Sequence, residues 1–156
     1  MKLKLKNFRC HINSSFEFEN KGLTLINGVN GSGKSTVFKG ILYALYGKIQ
    51  KPYTIGKKSC LVELEYLGLN IKRTNRPNRL IVVKGSSSYE DDVAQNIIDE
   101  TICMNYNEFI SSSYIKPKIN NSILCMSPNE QLKFIERLAL EDKLYEKIKY
   151  KVKDEY

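Results

Sequence analysis

The chain has 156 residues, room for one domain with a substantial core and too little for two ordinary ones. Its 42% hydrophobic and 27% charged content is that of a globular protein in water, and no apolar run approaches the roughly 20 residues that span a bilayer. A net charge of +8 favours polyanionic partners such as DNA or RNA, while four scattered cysteines and a single histidine offer no closely spaced zinc ligands.

The N-terminal stretch alternates lysine with Leu3 and Leu5, which excludes the apolar core of a secretory signal and predicts a strand with one buried face. An intracellular protein with reduced thiols is the expectation. Phe16 and Phe18 alternate with Glu17 and Glu19 as a second strand. After the turn Asn20-Lys21-Gly22, the run Leu23-Thr24-Leu25-Ile26 reads as a third, fully buried strand, because its apolar residues are adjacent.

Beyond it the periodicity becomes helical: Val37, Phe38, Ile41, Leu42 and Leu45 form one stripe, and Gly47 is placed to end the helix. Strand patterns return at Val62, Leu64 and Tyr66, at Leu69 and Ile71, and at Leu80-Ile81-Val82-Val83. Turns at Gly68 and at Arg76-Pro77-Asn78 predict a small antiparallel sheet. A loop is expected over Gly85 to Ser88 and a helix from about Asp91 to Ile102. Ser127, Pro128 and Glu130 form a helix start of the capping-box type. In the helix that follows, Leu138, Tyr145, Ile148 and Val152 partly fit a heptad.

Between the third predicted strand and the first helix lies Gly28-Val29-Asn30-Gly31-Ser32-Gly33-Lys34-Ser35, a match to G-x-x-x-x-G-K-[ST]. Such a pattern arises by chance in roughly one chain of this length in two hundred. Glycines let the backbone wrap a phosphate, successive N–H groups form an anion-binding nest, and the next helix adds the positive end of its dipole. The candidate nucleotide-binding residues are therefore Gly28, Asn30, Gly31, Ser32, Gly33, Lys34, Ser35 and Thr36. Lys34 is expected at the β- and γ-phosphates, Ser35 as a Mg²⁺ ligand and Thr36 towards the α-phosphate, with ATP and Mg²⁺ as the ligands.

The flanks resemble a particular family. Lys6-Asn7-Phe8-Arg9-Cys10-His11 is close to the K-N-F-R-S-H opening of the SMC and SbcC-type ATPases of chromosome maintenance and double-strand-break repair. The loop reproduces that family's G-x-N-G-S-G-K-S, and Ile41-Leu42-Tyr43-Ala44-Leu45-Tyr46-Gly47 looks like the helix of its repair branch. Ser127 to Leu138 is similar to S-P-x-E-R-x-x-x-L-E-x-L, the start of the helix leading from the head into a coiled coil.

The resemblance implies an α/β P-loop NTPase fold: the N-terminal lobe of an ABC-type ATPase head over residues 1–126, with an antiparallel β subdomain, and an exit helix over 127–156. It also implies nucleotide contact by Arg9, support of the loop by Asn30, and four partners: a C-terminal lobe, a second head, a nuclease subunit and double-stranded DNA. Lys57, Lys58, Lys72, Arg73, Arg76 and Arg79 could line the DNA surface.

One departure is specific. Where the family has a Y-I-R-Q-like stretch whose glutamine senses Mg²⁺ and the attacking water, this chain has Tyr114-Ile115-Lys116-Pro117, as in a divergent member of phage or virus type. Gln131, inside the capped helix, is a poor substitute.

An apolar run ending in Asp-Glu is missing, Leu80 to Val83 being followed by Lys84-Gly85, as is an L-S-G-G-type signature. In the family both lie in the C-terminal half of a longer polypeptide. The expectation is an N-terminal head segment or gene fragment whose ATPase activity needs that second lobe. The competing functions are a transporter-type ATPase domain and a non-catalytic nucleotide-binding module.

Overall fold

The computed structural model describes residues 1–19, 21–114 and 126–139. The chain divides into two compact units, Met1–Cys103 and Met104–Tyr156. Among the described residues no helix is long and apolar enough to cross a membrane.

The first unit is built on a six-stranded antiparallel sheet of order β2-β1-β3-β4-β5-β6. Its strands are β1 (Lys2–Phe8), β2 (His11–Glu17), β3 (Cys60–Tyr66), β4 (Leu69–Asn75), β5 (Arg79–Lys84) and β6 (Ser87–Glu90). Two-residue alternation sends one set of side chains to the core and the other to water. Across the sheet, Phe16, Leu3, Leu64, Ile71, Val82 and Tyr89 stand in one row of the inner face. Ser14, Leu5, Val62, Arg73 and Leu80 stand in the next.

Helix α1 (Lys34–Tyr46) lies against that inner face and buries Val37, Leu42, Tyr43, Ala44 and Leu45. Gly40 permits the close approach, since a Cβ there would come within 2.7 Å of a Leu5 methyl. The buried stripe is therefore rotated from the expected one, and Phe38 is 44% exposed. Gly47 ends the helix with φ 67°, its N–H donating to the Tyr43 carbonyl, as its position predicts. Helix α2 (Asp91–Ile102) spans the expected residues and buries Ala94 and Ile98.

Arg73 occupies the middle of an inner apolar row and is buried. Its guanidinium answers the free carbonyls at the end of α1: Nε donates to Ala44 O (3.0 Å) and Nη2 to Leu45 O (3.3 Å) and to Gln95 Oε1 (2.6 Å). Gln95 Nε2 in turn donates to Leu45 O and to Asp99 Oδ1. A cation at the negative end of a helix dipole, with Nε and Nη2 both directed at oxygens, makes a buried charge tolerable. Arg73 is thus a structural cap rather than the DNA-facing residue its sequence neighbourhood implied.

Two further expectations are corrected. Leu23-Thr24-Leu25-Ile26 forms no strand among the described residues, and Leu23 and Leu25 are 99% and 85% exposed. A strand exists only through a neighbour that satisfies its ladder, and within the described residues none lies beside this segment. The stretch expected as a loop over Gly85 to Ser88 instead turns at Gly85-Ser86 and continues as edge strand β6.

In the second unit, helix α3 (Tyr106–Ser112) starts at a capping box: the Asn105 side chain accepts from the N–H groups of Asn107 and Glu108, and Glu108 accepts from Asn105 N–H. Helix α4 (Pro128–Ala139) begins as the sequence predicts, with Glu130 accepting from both the N–H and the hydroxyl of Ser127. Those bonds hold the Glu130 carboxyl below its ordinary range. The heptad positions Tyr145, Ile148 and Val152, and the side chain of Leu138, lie outside the described residues, as does Pro117.

Arg73→Met is expected to lower the free energy of unfolding by about 2–4 kcal/mol in urea titrations, because it strands the Ala44 carbonyl and the Gln95 Oε1 and leaves Leu45 O to Gln95 alone. Burial also pushes the Tyr43 phenol up to about 12 and the Cys60 thiol up to about 11. Both values exceed the ordinary 10.0 and 9.0, so folding favours the neutral forms. Their stabilisation is complete below pH 9.0 and is lost as pH rises through 11 and 12. Urea midpoints measured at pH 8 and at pH 11 are expected to fall accordingly.

Candidate nucleotide-binding site

The site is the loop from Gly28 to Lys34, pinned at its far end by the hairpin of β1 and β2. Gly33 is the N-cap of α1, in the left-handed conformation with φ 94°. Its carbonyl accepts from Thr36 N–H (2.8 Å) and Val37 N–H (3.2 Å). A Cβ at Gly33 would lie 2.6 Å from Cys10 Sγ and 2.8 Å from His11 Nε2. Backbone conformation and lack of space therefore both require glycine here. At the other end of the loop a Cβ on Gly28 would approach Ser32 Oγ to 2.9 Å.

The loop is held by three of its own bonds: Asn27 Oδ1 accepts from Gly28 N–H, Val29 O from Ser32 N–H, and Gly33 O from Thr36 N–H. Among the described residues the amides of Gly31, Gly33, Lys34 and Ser35 have no acceptor. They are donors at the positive end of a 13-residue helix, the arrangement that suits an anion. Lys34 folds over the loop, with Nζ donating to Gly28 O (2.7 Å) and Val29 O (2.9 Å). An ammonium has three protons, so one remains for a phosphate oxygen. Ser35 is exposed at the helix start and Thr36 is half-buried behind it; Asn30, Gly31 and Ser32 are exposed. Donor set and geometry fit a triphosphate, and the Ser35 hydroxyl is free to meet a divalent cation.

Arg9 and Cys10 form the turn between β1 and β2. Arg9 has φ 52°, its N–H donates to Pro52 O and its Nη2 to Gln50 O, while Nε is buried without a partner. The turn thus joins the phosphate loop on one side to residues 50–54 on the other, where Thr54 N–H donates to Asn7 O. Sequence reasoning gave His11 no role in the site. Its ring stands between Ser14 Oγ (3.0 Å from Nδ1) and Gly33 O (3.3 Å from Nε2), edge-on to Phe16. The available signal was the place of His11 directly after the Arg9-Cys10 turn.

Of the six basic positions suggested for DNA, all but the buried Arg73 are exposed, and Lys57, Lys58 and Arg76 form no ion pair among the described residues. Arg76 lies over the Tyr53 ring. Lys72 faces Glu63 at 3.5 Å and Arg79 faces Glu90 at 2.8 Å, so their charge is already answered within the sheet.

Fold and loop together define an α/β P-loop NTPase of the ATPase-head class. A family profile described as an AAA domain matches residues 2–156. The chain belongs to this family, as a head segment of the SMC and SbcC type. It is 38% identical over 141 residues to protein 094L of Invertebrate iridescent virus 3, which covers 89% of the chain and 16% of the relative. It is 32% identical over 168 residues to the DNA double-strand break repair Rad50 ATPase of Methanocaldococcus jannaschii, 97% of the chain and 17% of the relative. A solved chain from work on the "structural biochemistry of ATP-driven dimerization and DNA stimulated activation of SMC ATPases" shares the fold. Its TM-score is 0.58 at 20% identity, covering 88% of this chain and 97% of that one. The chain spans about a sixth of the length of the viral and archaeal relatives.

Gly33→Ala is expected to cost about 1–2 kcal/mol from the left-handed backbone alone. Amide NMR shifts are expected to move at Cys10, His11 and the loop while those of β4 and β5 stay in place.

Proposed function

We propose that this chain is the ATP- and Mg²⁺-binding N-terminal lobe of a DNA repair or recombination ATPase. The observation that carries the reading is the set of unoccupied amides at Gly31, Gly33, Lys34 and Ser35 beside a lysine with a proton to spare. Lys34 neutralises the β- and γ-phosphates, Ser35 ligates Mg²⁺, Thr36 lies towards the α-phosphate, and Gly28, Asn30, Ser32 and Gly33 shape the cradle. Arg9, with its buried unpartnered Nε, is the nucleotide contact from the hairpin.

The C-terminal lobe is the first partner. Leu23 and Leu25, which are 99% and 85% exposed, lie on a segment leading into the loop that pairs with no strand among the described residues, and Val29 within the loop is 79% exposed. Exposed leucines next to free backbone donors and acceptors support pairing with a strand supplied by that lobe. The same lobe would supply the second Mg²⁺ ligand and the acid that orients water, so hydrolysis belongs to the assembled head. A second head joined through ATP, a nuclease subunit, double-stranded DNA and an intracellular place of work complete the proposal, with the lobe over residues 1–126 and the exit helix over 127–156. Lys57, Lys58 and Arg76 are the basic side chains best placed for phosphates.

Calorimetry is expected to show Mg-ATP uptake by the chain and its loss in Lys34→Ala. Absence of heat from folded wild-type chain would sink the reading. A coexpressed C-terminal lobe is expected to bring ATPase activity, and Leu25→Asp to prevent its association while Mg-ATP binding to the chain persists.

A further inference from the structure

Among the described residues His11 is the side chain hydrogen-bonded to the carbonyl of Gly33, and that carbonyl is half of a rigid unit. A trans peptide is planar, so C=O and N–H point in opposite directions. Holding Gly33 O towards β2 therefore aims the Lys34 N–H, itself one of the loop's free amides, away from β2. If this peptide turned over, a carbonyl dipole would enter the nest and repel an anion. The glycine is the residue that makes such a turn sterically accessible, because Gly33 has no Cβ to oppose it. Bonds from Thr36 and Val37 resist the turn from the helix side. His11 resists it from the sheet.

The ring is itself fixed. A carbonyl only accepts, so Nε2 must carry the proton that it donates to Gly33 O. In the neutral imidazole Nδ1 is then an acceptor, and the Ser14 hydroxyl 3.0 Å away donates to it. Phe16 meets the ring at 89° with centroids 5.6 Å apart, and Phe16 stacks on Phe18 in turn. Residues Ser14, Phe16 and Phe18 thus set the tautomer and the plane of a histidine that touches the phosphate loop and is largely shielded from water.

We propose that His11, oriented by Ser14, is a positioning residue for nucleotide binding: it locks the Gly33–Lys34 peptide with its amide facing the phosphates. This deepens the ATP reading of the site and rests on it. The bond to Gly33 O is long at 3.3 Å, so the expected loss is that of one modest hydrogen bond. His11→Ala is expected to weaken Mg-ATP binding about two- to tenfold.

The test compares wild type, His11→Ala, His11→Gln and Ser14→Ala in the full 156-residue chain, by Mg-ATP calorimetry and by the ¹³C shift of the Gly33 carbonyl with the ¹⁵N shift of Lys34. Glutamine carries an N–H donor at comparable reach and is expected to restore both shifts and most of the affinity. Ser14→Ala is expected to give a smaller loss of affinity in the same direction. Full affinity in His11→Ala with wild-type Gly33 and Lys34 shifts overturns the inference and leaves the ATP reading standing. A lowered thermal midpoint with unchanged affinity reduces His11 to a packing residue and overturns the inference too. Wild-type chain that takes up no Mg-ATP overturns the ATP reading, and the inference with it. Should His11→Ala fail to fold, the glutamine and Ser14 variants decide: affinity and shifts equal to wild type in Ser14→Ala, with both lost in the glutamine variant, overturn it.

Discussion

The site depends on how the sheet grips the two ends of one helix. At the N-terminal end of α1 the Gly33 carbonyl is engaged by the helix amides and by His11 from β2. At the C-terminal end Arg73 of β4 gives its protons to the Ala44 and Leu45 carbonyls. The negative pole of the helix is thereby neutralised inside the protein, while the positive pole keeps its amides unspent. Between these points Gly40 lets the helix sit directly on Leu5. The loop is poised for an anion because the rest of the helix has nowhere else to go.

Charge is arranged by the same sheet. The chain carries a net +8, yet the outer face alternates sign across the strands. Lys4 stands opposite Glu63, Glu63 opposite Lys72, and Lys2 opposite Glu17 and Glu65. Cross-strand neighbours of opposite sign satisfy one another locally and leave little field for a distant polyanion. The excess positive charge therefore resides elsewhere, in the loop side chains Lys57 and Lys58 and in the turn carrying Arg76 among others. Net charge counts residues, whereas recognition of a polyanion depends on where they stand relative to their counter-charges.

The segment from Leu23 to Val29 shows how a local pattern and its realisation can part. Adjacent apolar residues have the composition of a strand covered on both faces. Coverage and pairing must come from other backbone, and the six strands of this sheet are ordered without a place for this segment. Its leucines stay in water, which raises the free energy of the isolated lobe and favours any partner that covers them.

Composition and short-range pattern determined a good deal by themselves. They defined the phosphate loop, the helix after it with its stop at Gly47, the lysine–leucine strand β1, the hairpins of β3 to β5, and the capped start of α4, because each is encoded within a few consecutive residues. The capping box of α3 at Asn105 and Glu108 was equally local, and asparagine simply serves there where serine or threonine is more familiar. Only the tertiary structure decided that Arg73 turns inward to cap a helix, that the buried stripe of α1 includes Gly40 rather than Phe38, that Leu23 to Ile26 finds no strand partner among the described residues, and that His11 reaches Gly33. Each of those outcomes joins groups 20 or more residues apart, or depends on a neighbour being absent. No window along the chain contains that information, since it resides in the register of one strand against another and in the space left between sheet and helix.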